Sequence, residues 1–170
     1  FIVPAPPGGA PDAVARVVGQ RLSTQLGQQV VVENRGGGNG IIGSEAAARA
    51  PADGYTLVIG YAGPFSINPG LVANLPYDVV KDFTPLTLLA ASQNVLVVHP
   101  SFPARSVAEL IAAAREQPGK INYASGGTGQ SSHLSMELML HMAGVRMTHI
   151  PYKGAGPALA DTISGHVPLH

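Results

Sequence analysis

The sequence predicts an α/β fold with mostly parallel sheets, and three observations predict it. Strand-like apolar runs alternate with segments of helical spacing along the 170 residues, and parallel sheets need that alternation. The pattern restarts after His99-Pro100, which divides the chain into α/β domains at residues 1–99 and 100–170. Each domain also has a glycine-rich turn where a strand hands over to a helix, "PAPPGGAPD" (4–12) and "ASGGTGQSSHL" (124–134).

The elements follow in order. Phe1 to Pro4 reads as a strand. From Pro11 to Leu26 the apolar residues Val14, Val17, Val18, Leu22 and Leu26 keep helical spacing. Pro11 suits a first-turn position, and Asp12 complements the positive end of the helix. "QVVVEN" (29–34) is a strand, "RGGGNG" a glycine loop, and Ile41 to Arg49 a helix stopped by Pro51. "GYTLVIGYAG" (54–63) is a strand with a turn-prone exit, and 64–82 is irregular. "FTPLTLLA" (83–90) and "NVLVVHP" (94–100) read as strands. Ser106 to Glu109 forms a capping box opening a helix to about Gln117. "INYAS" (121–125) is a strand, followed by the second glycine turn and a helix to about Ala143. "MTHIPY" (147–152) is a strand. Gly156-Pro157 opens a last helix towards Gly165, and "GHVPLH" opens a further strand.

Composition narrows the function classes. Hydrophobic residues make up 45%, enough for a packed core, and charged residues only 12%. Ten basic and ten acidic residues balance, and no basic patch invites nucleic acid. No apolar run reaches the ~18 residues that span a bilayer. Without cysteine there is no disulfide, thiolate metal site or cysteine nucleophile. The chain opens on Phe1 inside an apolar strand, so we expect a fragment of a longer protein whose signal peptide is not in this chain.

The two glycine turns carry the chemistry. Ligands of open α/β sheets bind beyond the carboxyl ends of strands. Glycine there allows close backbone approach, and the following helix start offers unpaired N–H groups and partial positive charge. Either loop alone is better read as a tight turn, with glycine for positive φ and proline for rigidity. Two of them, facing each other across a cleft, would clamp a small carboxylate with no Lys or Arg and no catalytic residue.

Several stretches together carry a more specific signal: "VPAPPGGAPDAVAR" (3–16), "VVVENRGGGNGIIGSEAAARAPADGYTL" (30–57), "LPYDVVKDFTPLTLL" (75–89), "ASGGTGQSSHLSMELM" (124–139) and "IPYKGAGPALADTISG" (150–165). In them the chain resembles the Bug/TctC family of periplasmic solute receptors of tripartite tricarboxylate transporters. The resemblance implies a two-lobed Venus-flytrap architecture, of which 1–99 is the first lobe and 100–170 part of the second. It implies a monomeric receptor in the periplasm of a Gram-negative bacterium. The receptor would bind a di- or tricarboxylate, an acidic amino acid or an aromatic carboxylate, and deliver it to the membrane permease subunits, with no cofactor and no metal. It places Ala5, Pro7, Gly8, Gly9 and Asp12 of the first loop at the ligand, with Ser125, Gly126, Gly127, Thr128 and Gly129 of the second. Ala62 and Asn68 lie on a third segment near the cleft. "GHVPLH" departs from the family pattern and fits truncation. A ligand sensor for a membrane kinase is the alternative role.

Other motifs compete. Gly38 to Gly43 matches the dinucleotide fingerprint, but the next strand ends without an acid to take a ribose, and helix packing explains the glycines. No glycine loop is followed by Lys-Ser or Lys-Thr, so there is no P-loop. His133, Glu137 and His141 share a helix face and could ligate zinc in a metal-dependent enzyme; the bland reading is a hydrogen-bonded stripe, with His133 bracing the second loop. Pro168 spoils a helical pair of His166 and His170. Ser125, Ser131 or Ser132 as a nucleophile would need a base and an orienting acid, and no G-x-S-x-G elbow is present. Tyr61 and Tyr152 could line a cleft, but buried tyrosines with satisfied hydroxyls are the commoner case; Arg16 and Arg21 are expected to form solvent-facing pairs rather than ligand contacts.

Overall fold

A computed structural model describes all residues, Phe1–His170. The chain divides into two compact units, Phe1–Ser92 and Gln93–His170. The division comes seven residues before the expected 99/100 boundary. Leu96 and Val98 pack against the core of the second unit, and Val97 and His99 hydrogen-bond to His170 and Pro168.

In the first unit, β1 (Ile2–Val3) is central. It pairs in parallel with β2 (Glu33–Asn34), Ile2 opposite Glu33 and Val3 opposite Asn34, and on its other side Ile2 bridges Val58 in parallel. Val3, Ala5, Ala15 and Ile59 form the core. α1 (Ala10–Leu26) ends on Gly27, whose φ of 65° is the left-handed cap that glycine favours. α1 is the helix expected from the valine spacing, but its buried residues are Asp12, Ala15 and Gly19, while Val17 and Leu26 are exposed. Small residues let the helix lie close: a Cβ on Gly19 would meet Val30 and Val32 at 3.4 Å.

α2 (Ile41–Ala48) packs closer still. A Cβ on Gly43 would stand 2.6 Å from the Arg35 carbonyl oxygen and 2.7 Å from Pro4 Cα. That accounts for the fingerprint-like glycines without a nucleotide. One π-type turn (Gly63–Ile67) runs into α3 (Asn68–Leu71). Helical turns thus occupy the start of the 64–82 stretch expected to be irregular, and Phe65, Tyr77 and Phe83, with ring centroids 4.9–6.4 Å apart, anchor it.

In the second unit, α4 (Val107–Glu116) starts at Ser106, whose Oγ accepts the Glu109 N–H. Glu109 Oε2 reaches back to the N–H of Arg105, one residue before the expected partner. β3 (Asn122–Ser125) pairs in parallel with β4 (Thr148–Pro151), Asn122 opposite Thr148. The Ala124 N–H donates to the Leu169 carbonyl, and Leu169 forms an antiparallel bridge with Val98. α5 (Ser131–Ala143) and α6 (Ala155–Ile163) complete the unit. Leu110, Tyr123, Met136, Leu140 and Leu169 centre its core.

The strands are shorter than their patterns predict. Of 29–34 only Glu33–Asn34 is strand, and 54–63 contributes only the Val58 bridge. Neither 83–90 nor 94–100 is a strand, beyond the bridge at Val98. Leu86, Leu88 and Val95 are exposed. An apolar run becomes a strand only when another backbone lies within pairing distance. No helix is long and apolar enough to cross a membrane.

Candidate functional site

The first loop connects β1 to α1. Its Gly8 has a φ of 88° with nothing within 4 Å of a built Cβ, so conformation rather than space calls for glycine. The carboxylate of Asp12 is buried and accepts the Gly8 N–H at 2.9 Å and Nε of Arg16 at 3.1 Å. The guanidinium of Arg16 continues to Asn34 Oδ1 at 3.2 Å, and Asn34 Nδ2 donates to the Ala5 carbonyl at 3.1 Å. One chain of polar contacts thus ties down both ends of the loop. The Arg16 hydrogen bond, then the Gly8 N–H, hold the Asp12 carboxyl below its ordinary value. Asp12 therefore sits beneath the loop with its charge engaged from inside, rather than turned to a ligand as expected. Ala5 is buried, Gly9 is half-buried, and Pro7 and Gly8 are exposed. In the first turn of α1 the N–H groups of Ala10 and Asp12 have no intrahelical acceptor, and Pro11 has no N–H to offer.

The third segment lies in the same unit. The Tyr61 hydroxyl donates to the Pro4 carbonyl at 2.7 Å, and burial pushes its pKa up to about 12. Ala62 is exposed. Asn68 is only 1% exposed, and its amide is matched: Oδ1 accepts Asn39 Nδ2 at 2.7 Å, and Nδ2 donates to the Asn39 carbonyl at 3.1 Å. Asn68 is thus a structural anchor for the glycine turn 38–40. Asn39 takes a φ of 54°, and its Oδ1 is buried without a partner. Sequence reasoning passed over Asn39; an asparagine between glycines was the available signal, because asparagine tolerates the left-handed region.

The second loop connects β3 to α5. Gly127 has a φ of 139°, and a Cβ there would lie 3.1 Å from the Tyr152 carbonyl oxygen. The glycine amides point inward. The Gly126 N–H donates to Ser132 Oγ at 3.2 Å, that of Gly127 to Ser125 Oγ at 3.1 Å, and that of Gly129 to His133 Nδ1 at 3.2 Å. We expected these three amides to face a ligand. A buried N–H must be paired, and neighbouring side chains pair them. The donors that remain are the N–H and hydroxyl of the exposed Thr128 and the first-turn amides of α5.

Ser125 is fully buried, with Oγ 2.6 Å from Nε2 of His149. The His149 ring stacks on His133, centroids 4.1 Å apart, and on Tyr123 at 5.0 Å. The Tyr123 hydroxyl donates to Glu137 Oε1. Burial first, then His133, holds the His149 pKa below the ordinary histidine value, with Glu137 opposing. Burial and Glu137 both raise that of Tyr123. His149 was not singled out from the sequence; "THIPY" has no motif around it. Ser125 and His149 have the chemistry of a nucleophile and a base, but a fully buried hydroxyl that already accepts a backbone N–H offers no attack path.

The zinc-site alternative fails on geometry. His133 takes the Gly129 N–H and Glu137 the Tyr123 hydroxyl, while His141 is exposed in the last turn of α5. No three His, Cys, Asp or Glu side chains converge on a point that could hold an ion. Tyr61 and Tyr152 have satisfied hydroxyls as expected, Tyr152 through Asp161 Oδ2 at 2.6 Å.

The chain is thus made of two α/β units, each with a braced glycine loop between a strand and a helix. Comparison with known proteins bears on both fold and family. A family model described as "tripartite tricarboxylate transporter family receptor" (TctC) matches residues 14–169. BugT of Bordetella pertussis is 40% identical over 98% of this chain and 52% of its own length. A Pseudomonas sp. protein encoded in the tcbD-tcbE intergenic region is 43% identical over 99% of this chain and 50% of its own. Among solved structures, Rpa4515 of R. palustris with adipate superimposes with a TM-score of 0.94 at 42% identity. The match covers 98% of this chain and 56% of that one. MatC from Rhodopseudomonas palustris with bound malate gives 0.89 at 32% identity, covering 98% and 57%. The chain belongs to the TctC receptor family. It spans about half the length of the curated relatives it matches.

Proposed function

We propose that this protein is a periplasmic solute receptor that binds a small organic acid and delivers it to the permease subunits of a tripartite tricarboxylate transporter. The observation that carries the reading occurs twice: a strand ends in a glycine turn whose shape is fixed by side chains beneath it, and a helix start follows. In the first loop the fixing groups are Asp12, Arg16 and Asn34; in the second they are Ser125, Ser132 and His133. A turn held this way does not have to reorganise when a ligand arrives, which lowers the ordering cost of binding.

The donors these loops offer are neutral. First-turn amides carry partial positive charge and suit a carboxylate. The nearby guanidinium, Arg16, is already engaged by Asp12 and Asn34. A site built of neutral donors and bridging waters accommodates acids of different length, since each bridge costs about 0–2 kcal/mol of ordering entropy. Relatives solved with adipate and with malate support a dicarboxylate as the first class to try. Isothermal titration with adipate and malate, followed by tricarboxylates, acidic amino acids and aromatic acids, tests the reading. Saturable binding of at least one supports it, and failure of all of them removes it.

A further inference from the structure

We infer that His133 and His149 are positioning residues for the second loop, and that protonation of this stacked pair weakens the hold of the loop on a carboxylate. The inference rests on the receptor reading above and deepens it.

Each ring holds a different part of the turn. His133 Nδ1 accepts the Gly129 N–H, so that nitrogen must be unprotonated. Ser125 Oγ accepts the Gly127 N–H and lies 2.6 Å from His149 Nε2. The hydroxyl has one hydrogen. With a bare Nε2, that hydrogen goes to the ring. With Nε2 protonated, the ring donates instead, and the hydroxyl must turn towards the Gly127 carbonyl, 3.3 Å away. That distance is long for a hydrogen bond from a hydroxyl. Protonation of His149 thus turns the hydroxyl hydrogen of Ser125, whose oxygen still accepts the Gly127 N–H, and protonation of His133 abolishes the contact that fixes Gly129. The groups facing His149 are Tyr123 and Ser125 from β3, and His133 with Glu137 from α5. The Glu137 carboxylate favours the charged ring, but it is bound to the Tyr123 hydroxyl. A ring 4.1 Å away opposes a second charge.

The experiment follows the Gly127 and Gly129 amide resonances of the purified protein from about pH 8 to about pH 5, without added acid. In parallel it measures adipate affinity at constant ionic strength. Both amides are expected to move with the ring signals of His133 and His149, and adipate affinity to fall roughly five- to tenfold towards acid. His149→Gln keeps a donor and an acceptor but cannot titrate. It should bind more weakly than wild type and more tightly than His149→Ala, with a Gly127 amide that no longer follows pH; only the double variant His133→Gln, His149→Gln should keep no pH dependence beyond that of adipate itself. Amides that stay still across the range, a Gly127 amide that moves unchanged in His149→Gln, or a Gly129 amide that moves unchanged in His133→Gln, overturn the inference. Should no acid bind while the amides still track the histidines, the receptor reading falls and the positioning of the loop by the histidines stands.

Discussion

The Asp12 carboxylate accepts the N–H of Gly8 at 2.9 Å, four residues back across the turn that joins β1 to α1. An acid at a helix start stabilises the helix; here it also sets the shape of the loop before it. Replacing Asp12 with Asn weakens the Arg16 contact and leaves a poorer acceptor for Gly8. The expected loss is about 1–3 kcal/mol, at the lower end because Arg16 is half exposed and screened. Urea unfolding of both proteins measures it.

The same residue makes a pH prediction. The folded state holds the Asp12 pKa below its ordinary 3.8, so the unfolded chain binds its proton more readily. The resulting stabilisation is complete above the ordinary value and is lost as pH falls through the folded one. Stability measured against pH should therefore fall more steeply in wild type than in Asp12→Asn in the acid range below that value. Parallel curves would remove Asp12 as a contributor.

Gly43 and Gly156 give opposite expectations for one substitution. An alanine Cβ at Gly43 meets backbone of Arg35 and Pro4 at 2.6 and 2.7 Å, so α2 must move away from β1. Gly43→Ala should cost roughly 1–3 kcal/mol. At Gly156, in the first turn of α6, nothing lies within 4 Å. Gly156→Ala should be neutral or stabilise by up to about 1 kcal/mol, through helix propensity. Thermal melts of the two variants test whether close packing of α2 on β1 is what requires glycine at position 43.

At Gly127 conformation and space combine: φ is 139° and the Tyr152 carbonyl oxygen lies 3.1 Å from a built Cβ. Gly127→Val should reshape the turn without melting α5, whose packing rests on Met136 and Leu140. Circular dichroism is expected to show unchanged helicity while adipate binding disappears. Unchanged affinity would move the ligand away from this loop.

How much of this the sequence revealed depends on the kind of signal. Local signals were readable: Ser106 and Glu109 marked the start of α4, and the glycine turns marked both strand-to-helix crossings. Signals that need a distant partner were not. The apolar runs at 83–90 and 94–100 look like strands because of Leu86, Leu88, Val95 and Val97, yet pairing requires a backbone that sequence periodicity does not supply. The valine stripe of α1 indicated the helix but not the face that packs, because Ala15 and Gly19 allow closer approach than Val17. Asn39, Asn68 and His149 act through partners 24 or 29 residues away, which spacing along the chain does not show. Four of the glycines expected to offer their amides, Gly8, Gly126, Gly127 and Gly129, instead direct them to side chains.

The central claim is tested most directly by thermal unfolding with and without adipate or malate. Binding to the folded form alone adds about 2.7 kcal/mol at about a hundredfold excess over Kd. For a chain of this length that raises Tm by roughly 5–10 °C. A concentration-dependent rise with at least one acid, absent in Gly127→Val, is the predicted result. An unmoved Tm with adipate, malate and every one of the tricarboxylates, acidic amino acids and aromatic acids at high concentration, in a protein that unfolds cooperatively, contradicts the account.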